Sequence, residues 1–468
     1  MTLSERAFPV RMRRVAVVAR ASRVREVLVA LADSGVVDIS GPLGNGEGAA
    51  MEALRRLESR DAPGGPASPV LIAETPDIEQ LERSGARELL AGEIELERRS
   101  TGAVRHAGFA VFVGWAPQPV LAPLAERLAP VGASVMELRA PSGAEPPTLL
   151  APARAAEPFR PLLTTYGAVP YEDLDPTPFV AVTYALMFGM MFGDVGDGLL
   201  IVLAALALRR TRYPRLQRLR AAWPLLAAPG AAAILFGALY GELFGPTKVL
   251  PALWTAPLNH PTQLLIVGIV LGGCLLAAGY LFGIVNRWSE GGARMALTAG
   301  SGLPGLSLLA AGALAALGFE DRATALVVAG AALAIVATLG LVAGLRAEAG
   351  RGGAAVGIVL IGLLDAVLRL FSNVFSFARL AAFGLMHAAL GQVVLHAAGG
   401  LAGAPVGDVA AVLVFLSGST VAFALEGLVV AVQALRLEYY ELFSRMFTRE
   451  GRPFRPWSLP LLSTEEAR

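Results

Sequence analysis

The chain has 468 residues, 55% of them hydrophobic and only 16% charged, against about 25% charged residues in an ordinary soluble domain. Lys and Arg number 39 and Asp and Glu 38, a net charge of +1 that argues against nucleic acid or a strongly acidic ligand. The single cysteine, Cys274, and four histidines without a zinc-motif spacing exclude a disulfide framework, a thiolate cluster and a catalytic zinc motif, so no metal or cofactor is expected.

Residues 1–175 read as a cytoplasmic α/β domain with a short helical hairpin. Val15, Val17 and Val18 lie in a strand, and Val24, Val27, Leu28 and Leu31 follow at helical spacing before a second strand near Asp38. Arg11, Arg13 and Arg14 precede only a short mixed stretch, which is not a secretory signal pattern. After the breaker-rich GPLGNGEG (41–48), charged helices are expected over 49–61 and 77–99, the second opening at Pro76-Asp77. HAGFAVFVGWAP (106–117) alternates as a strand and Val120–Leu128 follows as a helix. A Pro/Ala-rich link over 140–158 leads to the apolar part.

From 176 to 447 the chain reads as an all-α polytopic membrane domain. Apolar runs long enough to cross a hydrocarbon core of about 30 Å occupy 221–245, 262–285, 295–318, 323–345, 353–398 and 408–447. The stretch 178–208 crosses once or twice, and loop charge decides. Arg209, Arg210, Arg212, Arg215, Arg218 and Arg220 crowd the next connection. Two crossings, turning at Gly193–Gly198, put that loop inside, and the same topology puts Arg287, Arg294, Arg346, Arg351 and the tail (448–468) inside. The expectation is eight spans, the last two long and tilted, with both termini cytoplasmic. At 1.5 Å per residue, those two segments would be about 69 and 60 Å long as straight helices.

Ionisable groups inside a bilayer mark function, because each costs about 2.5–3.5 kcal/mol at mid-bilayer. On a helix over 353–398, Asp365, Arg369, Ser372, Ser376, Arg379 and His387 fall within about 40° of one stripe. A structural stripe satisfied by neighbouring spans, with Asp365 and Arg369 paired at i,i+4, is the competing explanation. It leaves Arg379 without an acid one turn away. In 408–447, Ser419, Gln433 and Tyr440 share the Glu426 face, with Arg436 at its edge. Arg436, Glu438 and Glu441 approach the cytoplasmic end, where snorkelling suits Glu438 and Tyr440; Glu426 is too deep for that. Asp194 and Asp197 read first as helix-capping carboxylates, and Glu242 in GALYGELFG is equally ambiguous.

Three motifs carry a resemblance. PYEDLDPTPFVAVTYALMFGMMFGDVGDGLL resembles the D-P-T-P-F…F-G-D-x-G-x-G entry of the a/I subunit (116 kDa-type) of rotary V-type and A-type ATPases. SFARLAAFGLMHAAL is similar to that family's S-Y-x-R-L-x-A-L-x-L-A-H-A segment, and EGLVVAVQALRLEYYELFSRMFTREGRPFRPW to its C-terminal pattern. The resemblance covers most of 106–460 and implies a membrane stator whose two long helices face a proteolipid ring.

By motif position, Arg379 is the arginine that passes each ring carboxylate, and Arg436 its partner. Asp365 would line the cytoplasmic half-channel and His387 and Glu426, on the outer side, the opposite one; Gln433 and Ser376 are further half-channel residues of the same reading. An arginine favours the ionised carboxylate beside it, so a proton must leave before that site passes. The partners so implied are the proteolipid (c/K/L) ring, peripheral-stalk (E/G-type) subunits, a central-stalk connector (d/C type), the soluble ATPase sector and the bilayer. Departures are Ala378 in place of a larger residue, Gln433 where histidine is common, Asp197 in G-D-x-G-x-G, and an N-terminal domain with only a stub of the family's long hairpin.

The chain holds no G-x-x-x-x-G-K-[ST], so nucleotide chemistry is expected in other subunits rather than here. A lone lysine, Lys248, suggests a GC-rich bacterial genome and a bacterial cytoplasmic membrane. A stand-alone secondary transporter or proton channel is the alternative; it would show paired broken helices, and only one break, at 193–198, is visible. A structural membrane anchor is the third possibility.

Overall fold

Valines alternating along Met12–Arg20 form strand β1 in the computed structural model, which describes residues 8–41, 43–60, 67–141, 143–152, 156–350, 353–401, 405–447 and 449–462. Arg351 and parts of the 41–48 and 140–158 links, of the 399–407 loop and of the tail lie outside the described residues. The chain divides into two units: Pro9–Ala151 with Gly451–Arg468, and a second built on Pro152–Glu450.

In the first unit, β1 leads through helix α1 (Val24–Ser34) to β2 (Asp38–Ser40). The second half repeats the plan with β5 (Phe109–Pro117), α5 (Leu121–Leu128) and β6 (Ala133–Leu138). The antiparallel order β2-β5-β1-β6 is that of a split β-α-β sandwich. Val27, Leu28 and Leu31 of α1 share one core with Leu124 and Leu128 of α5 and with Val15, Val17 and Phe112 of the sheet. β4 (Val104–His106) joins β5 through Ala107-Gly108, both at positive φ, the geometry of a tight hairpin turn.

Between β2 and β4 lie α2 (Ala49–Arg60), β3 (Leu71–Ile72), α3 (Ile78–Ser84) and α4 (Arg87–Thr101), around a second core of Ala53, Leu57, Leu81, Leu90 and Ile94. The single helix expected over 77–99 is therefore two. Asp77 caps α3 as its position suggests, but Gly85 at φ +70 closes it in the left-handed conformation. The stretch after 450, expected as a tail, threads this same unit. Trp457 donates its N–H to the Val37 carbonyl at 2.9 Å, Arg452 pairs with Asp38 at 3.0 Å, and β7 (Leu461–Leu462) lies parallel to β3.

The second unit is helical: α6 (Arg160–Tyr166), α7 (Thr177–Met191), α8 (Val195–Arg210), α9 (Trp223–Tyr240), α10 (Pro261–Thr298), α11 (Leu303–Glu320), α12 (Thr324–Ala349), α13 (Gly353–Ser376), α14 (Ala378–Gly399) and α15 (Pro405–Leu437). Among the described residues, six stretches are long and apolar enough to cross a membrane: 220–240, 261–298, 303–320, 324–347, 355–399 and 407–446. The region 178–208 forms two short helices, α7 and α8, of 15 and 16 residues, turning at Gly193-Asp194. The span expected over 295–318 begins at Leu303 instead. α10 runs on to Thr298 through a break where Gly291 and Gly292 leave helical geometry.

Neither long segment is one continuous α-helix. The first bends at Phe377, between α13 and α14, without proline or glycine at the bend. Phe377 is fully buried against Gly272 of α10, where an added Cβ would lie 2.1 Å from the ring. The second ends in a π-helical turn, Glu438–Phe443. Phe377 joins Met187, Met190, Phe192, Leu264, Leu276, Leu380 and Leu437 in the core of this unit. Ile361 and Phe371 of α13 and Leu428 of α15 are exposed, 62–70% of each side chain being free.

Candidate functional site

Arg379 is the second residue of α14, immediately after the Phe377 bend. It is half-buried, its buried Nη1 has no hydrogen-bond partner, and it makes no ion pair among the described residues. The charges acting on it most are those of Arg436 and Glu441. Glu441 is itself buried, and Ser376, Arg436 and Arg445 act on its carboxylate together with Arg379. One carboxylate thus stands among three guanidinium groups.

Eight residues further along α14, about 12 Å on a helix, the balance reverses. His387 is buried with Nδ1 2.6 Å from Glu426 Oε2 on α15 and Nε2 3.8 Å from Asp194 Oδ2. The Phe192 ring packs at 4.9 Å from the imidazole. Asp194 caps α8 through the Asp197 N–H at 3.0 Å, and also accepts N–H bonds from Phe244 at 2.9 Å and Gly245 at 2.7 Å. Phe244 (φ 51) and Gly245 (φ 90) are both left-handed, which turns successive amides towards one carboxylate. α9 can approach this turn because Gly237 lacks a side chain: a Cβ there would sit 2.5 Å from the Asp194 carbonyl carbon. Glu242, just past the α9 cap, and Asp197 are buried in the same region, and Glu242 Oε2 has no hydrogen-bond partner.

Four buried acids around one buried imidazole form an array of acceptors that can take up and pass a proton. Two of its members, His387 and Glu426, are those that sequence reading singled out, and they touch. Asp194 serves as the expected cap and also faces His387, which cap chemistry alone does not announce. Gln433 lies one turn before Arg436 with its Oε1 buried and unpartnered, and Arg436 is exposed. Asp365 pairs with Arg369 at 2.7 Å with both side chains exposed, the local pairing weighed above.

Glu438 departs from expectation. Instead of snorkelling it is fully buried, and the Thr183 hydroxyl donates to its carboxylate at 2.9 Å. The π turn swings residues 438 and 441 inwards and leaves Tyr440 68% exposed. Ahead of α7, burial and the neighbouring Glu290 carboxylate push Asp173 up to about 7, against the pull of Arg287. Asn286 holds this entry by accepting the Leu174 N–H at 3.1 Å and donating to the Met446 carbonyl at 3.1 Å.

The apolar helices define the class: a multi-pass membrane protein, here with a half-buried arginine that makes no ion pair among the described residues and a buried acid–histidine cluster around a later part of the same helix. Residues 112–290 match the V-type ATPase 116kDa subunit family. An A-type ATP synthase subunit I of Aeropyrum pernix is 30% identical over 352 residues, covering 64% of this chain and 50% of the relative. That of Thermococcus kodakarensis is 28% identical over 327 residues, 64% of this chain and 46% of its own. The human V-type proton ATPase 116 kDa subunit a 3 is 33% identical over 153 residues, 28% of this chain and 18% of the relative. The match to the V-type ATPase 116kDa subunit family and the similarity to subunit I proteins agree with each other, and the chain spans about half the length of the archaeal relatives it matches.

Proposed function

We propose that this chain is the membrane stator subunit of a V/A-type rotary ATPase, with Arg379 facing the carboxylates of a rotating proteolipid ring. The observation that carries this reading is the lack of any ion-pair partner for Arg379 among the described residues, although it sits half-buried in an apolar unit. A cation held this way has its counter-charge supplied from outside the chain. The exposed apolar flanks of α13 and α15 suit a second protein and lipid, and Arg436 doubles the positive charge on that side.

A ring carboxylate beside Arg379 is ionised, so its proton has to leave before the passage and return after it. A fixed cation also interrupts any continuous proton wire between the two sides. His387, Glu426, Asp194, Asp197 and Glu242 form the path on one side of the arginine, and Gln433 extends it towards Arg436. Ser376, Glu441 and Asp365 form the path on the other. Short helices α7 and α8 count as two further crossings in this reading, giving the eight-span topology with both termini cytoplasmic in a bacterial membrane. Proteolipid ring, E/G-type stalk subunits and a d/C-type connector are the partners of this reading, and nucleotide chemistry resides in the soluble sector.

The test is Arg379→Ala in the assembled complex. Loss of ATP-driven proton pumping, with the proteolipid still copurifying, supports the assignment; pumping at the wild-type rate overturns it.

A further inference from the structure

We propose that Asp194, Glu242 and His387 form a binding site for a divalent cation of the zinc class, which when filled closes the adjacent proton path. One ligand atom from each of these three buried residues lies within 4.8 Å of the others. That is close to the span of two zinc–ligand bonds of about 2.0–2.2 Å.

Hydrogen bonding fixes what each atom offers. His387 Nδ1 lies 2.6 Å from Glu426 Oε2, and a carboxylate accepts, so the ring proton belongs on Nδ1. Nε2 then presents a lone pair towards Asp194 Oδ2 at 3.8 Å, and it has no hydrogen-bond partner. Glu242 Oε2 is likewise buried and unpartnered. While the ring is neutral, three acceptors converge with no donor between them, a repulsion that either a second ring proton on Nε2 or a metal cation relieves. The carboxylate–histidine relation of Glu426 to His387 is the outer support usual for a metal-bound imidazole. Asp194 is pinned by the amides of Asp197, Phe244 and Gly245, so it does not swing away. An imidazole nitrogen with two carboxylates favours zinc over magnesium or calcium, which take oxygen ligands.

Binding stands on this geometry alone, whereas closure of a proton path rests on the half-channel reading above. Zinc titration of the purified, chelator-stripped full chain should give one saturable site. His387→Ala and Glu242→Gln should each weaken it at least about tenfold, Glu426→Gln should weaken it by a comparable factor, and His396→Ala should leave it unchanged. X-ray absorption on the zinc-loaded wild type, which needs no variant, should report one imidazole nitrogen with oxygen ligands at about 2.0–2.2 Å. Absence of a saturable site, unchanged affinity in both His387→Ala and Glu242→Gln, or a shell of several imidazoles overturns the proposal; the first of these means that a proton or water fills the gap. In proteoliposomes of the whole complex, zinc should slow proton flux in the wild type. Zinc bound by these residues with flux unaffected refutes the proton path while the site stands. Flux that needs His387 in a protein that binds no zinc refutes the site while the path stands.

Discussion

The two ends of the functional stretch of α14 treat charge in opposite ways. Arg379 has no ion-pair partner among the described residues and shares its surroundings with Arg436. His387, about two turns on, is enclosed by Asp194 and Glu426, with Asp197 and Glu242 buried in the same cluster. Within one helix, an excess of positive charge is left for something outside the chain to neutralise, and an excess of acceptors is folded inside. The inner cluster is built by this polypeptide alone, since α8, the α9 loop, α14 and α15 each bring a member. The arginine end has only the shared Glu441 nearby, and on the proposed reading it is the part whose chemistry depends on a partner.

The sharpest way to break this contrast is to give Arg379 an acid of its own. Phe383, one turn along α14, is partly buried; Phe383→Glu should reduce ATP-driven pumping to background in the assembled complex, as is expected of Arg379→Ala. Next in size is the bend. Phe377→Ala empties a fully buried site and should cost about 3–5 kcal/mol in detergent unfolding, with pumping impaired in whatever folds. At the enclosed end, Asp194→Ala leaves the amides of Asp197, Phe244 and Gly245 without their acceptor and should cost about 3 kcal/mol.

Glu438→Gln keeps an acceptor for the Thr183 hydroxyl and should shift stability by only about 1 kcal/mol. The remaining effect is graded with pH. Folded Asp173 holds its proton up to about 7, whereas the unfolded carboxyl loses it near 3.8. The folded state therefore binds the extra proton between these values, and stability falls as pH rises from 3.8 towards 7, by at most about 1.4 kcal/mol per pH unit. Thermal unfolding across pH 5–7.5 should be flatter in Asp173→Asn.

Legibility followed sequence distance. The strands and α1 of the first unit were readable because valine alternation and helical spacing are local, and Asp77 announced its cap. Gly85 was available as a helix stop, yet the charged pattern ran across it. The interruption at Phe377 carries no local mark; its ring fills the space left by Gly272 on another helix. The π turn at 438–443 has none either, so Glu438 was placed at the membrane surface when it is buried. His387 and Glu426 could be chosen for their depth in apolar helices, but their 2.6 Å contact spans 39 residues. Asp194 was legible as a cap. The glycines at 193, 196 and 198 were the available signal that other chain would crowd this turn, as Tyr240, Phe244 and Ile234 do. Nothing in the spacing placed Glu242 beside them.

Phe377 and Gly272 form a knob and a socket that fix the direction in which α14 departs. Neither carries charge, and neither would be chosen in a search for chemistry. Their steric fit nevertheless aims the arginine two positions later, so an added methyl group at Gly272 would misdirect that charge while leaving every ionisable side chain present. On the stator reading, variation at this pair should therefore change coupling efficiency, the yield of transported ions per turnover, before it touches any of the ionisable groups themselves.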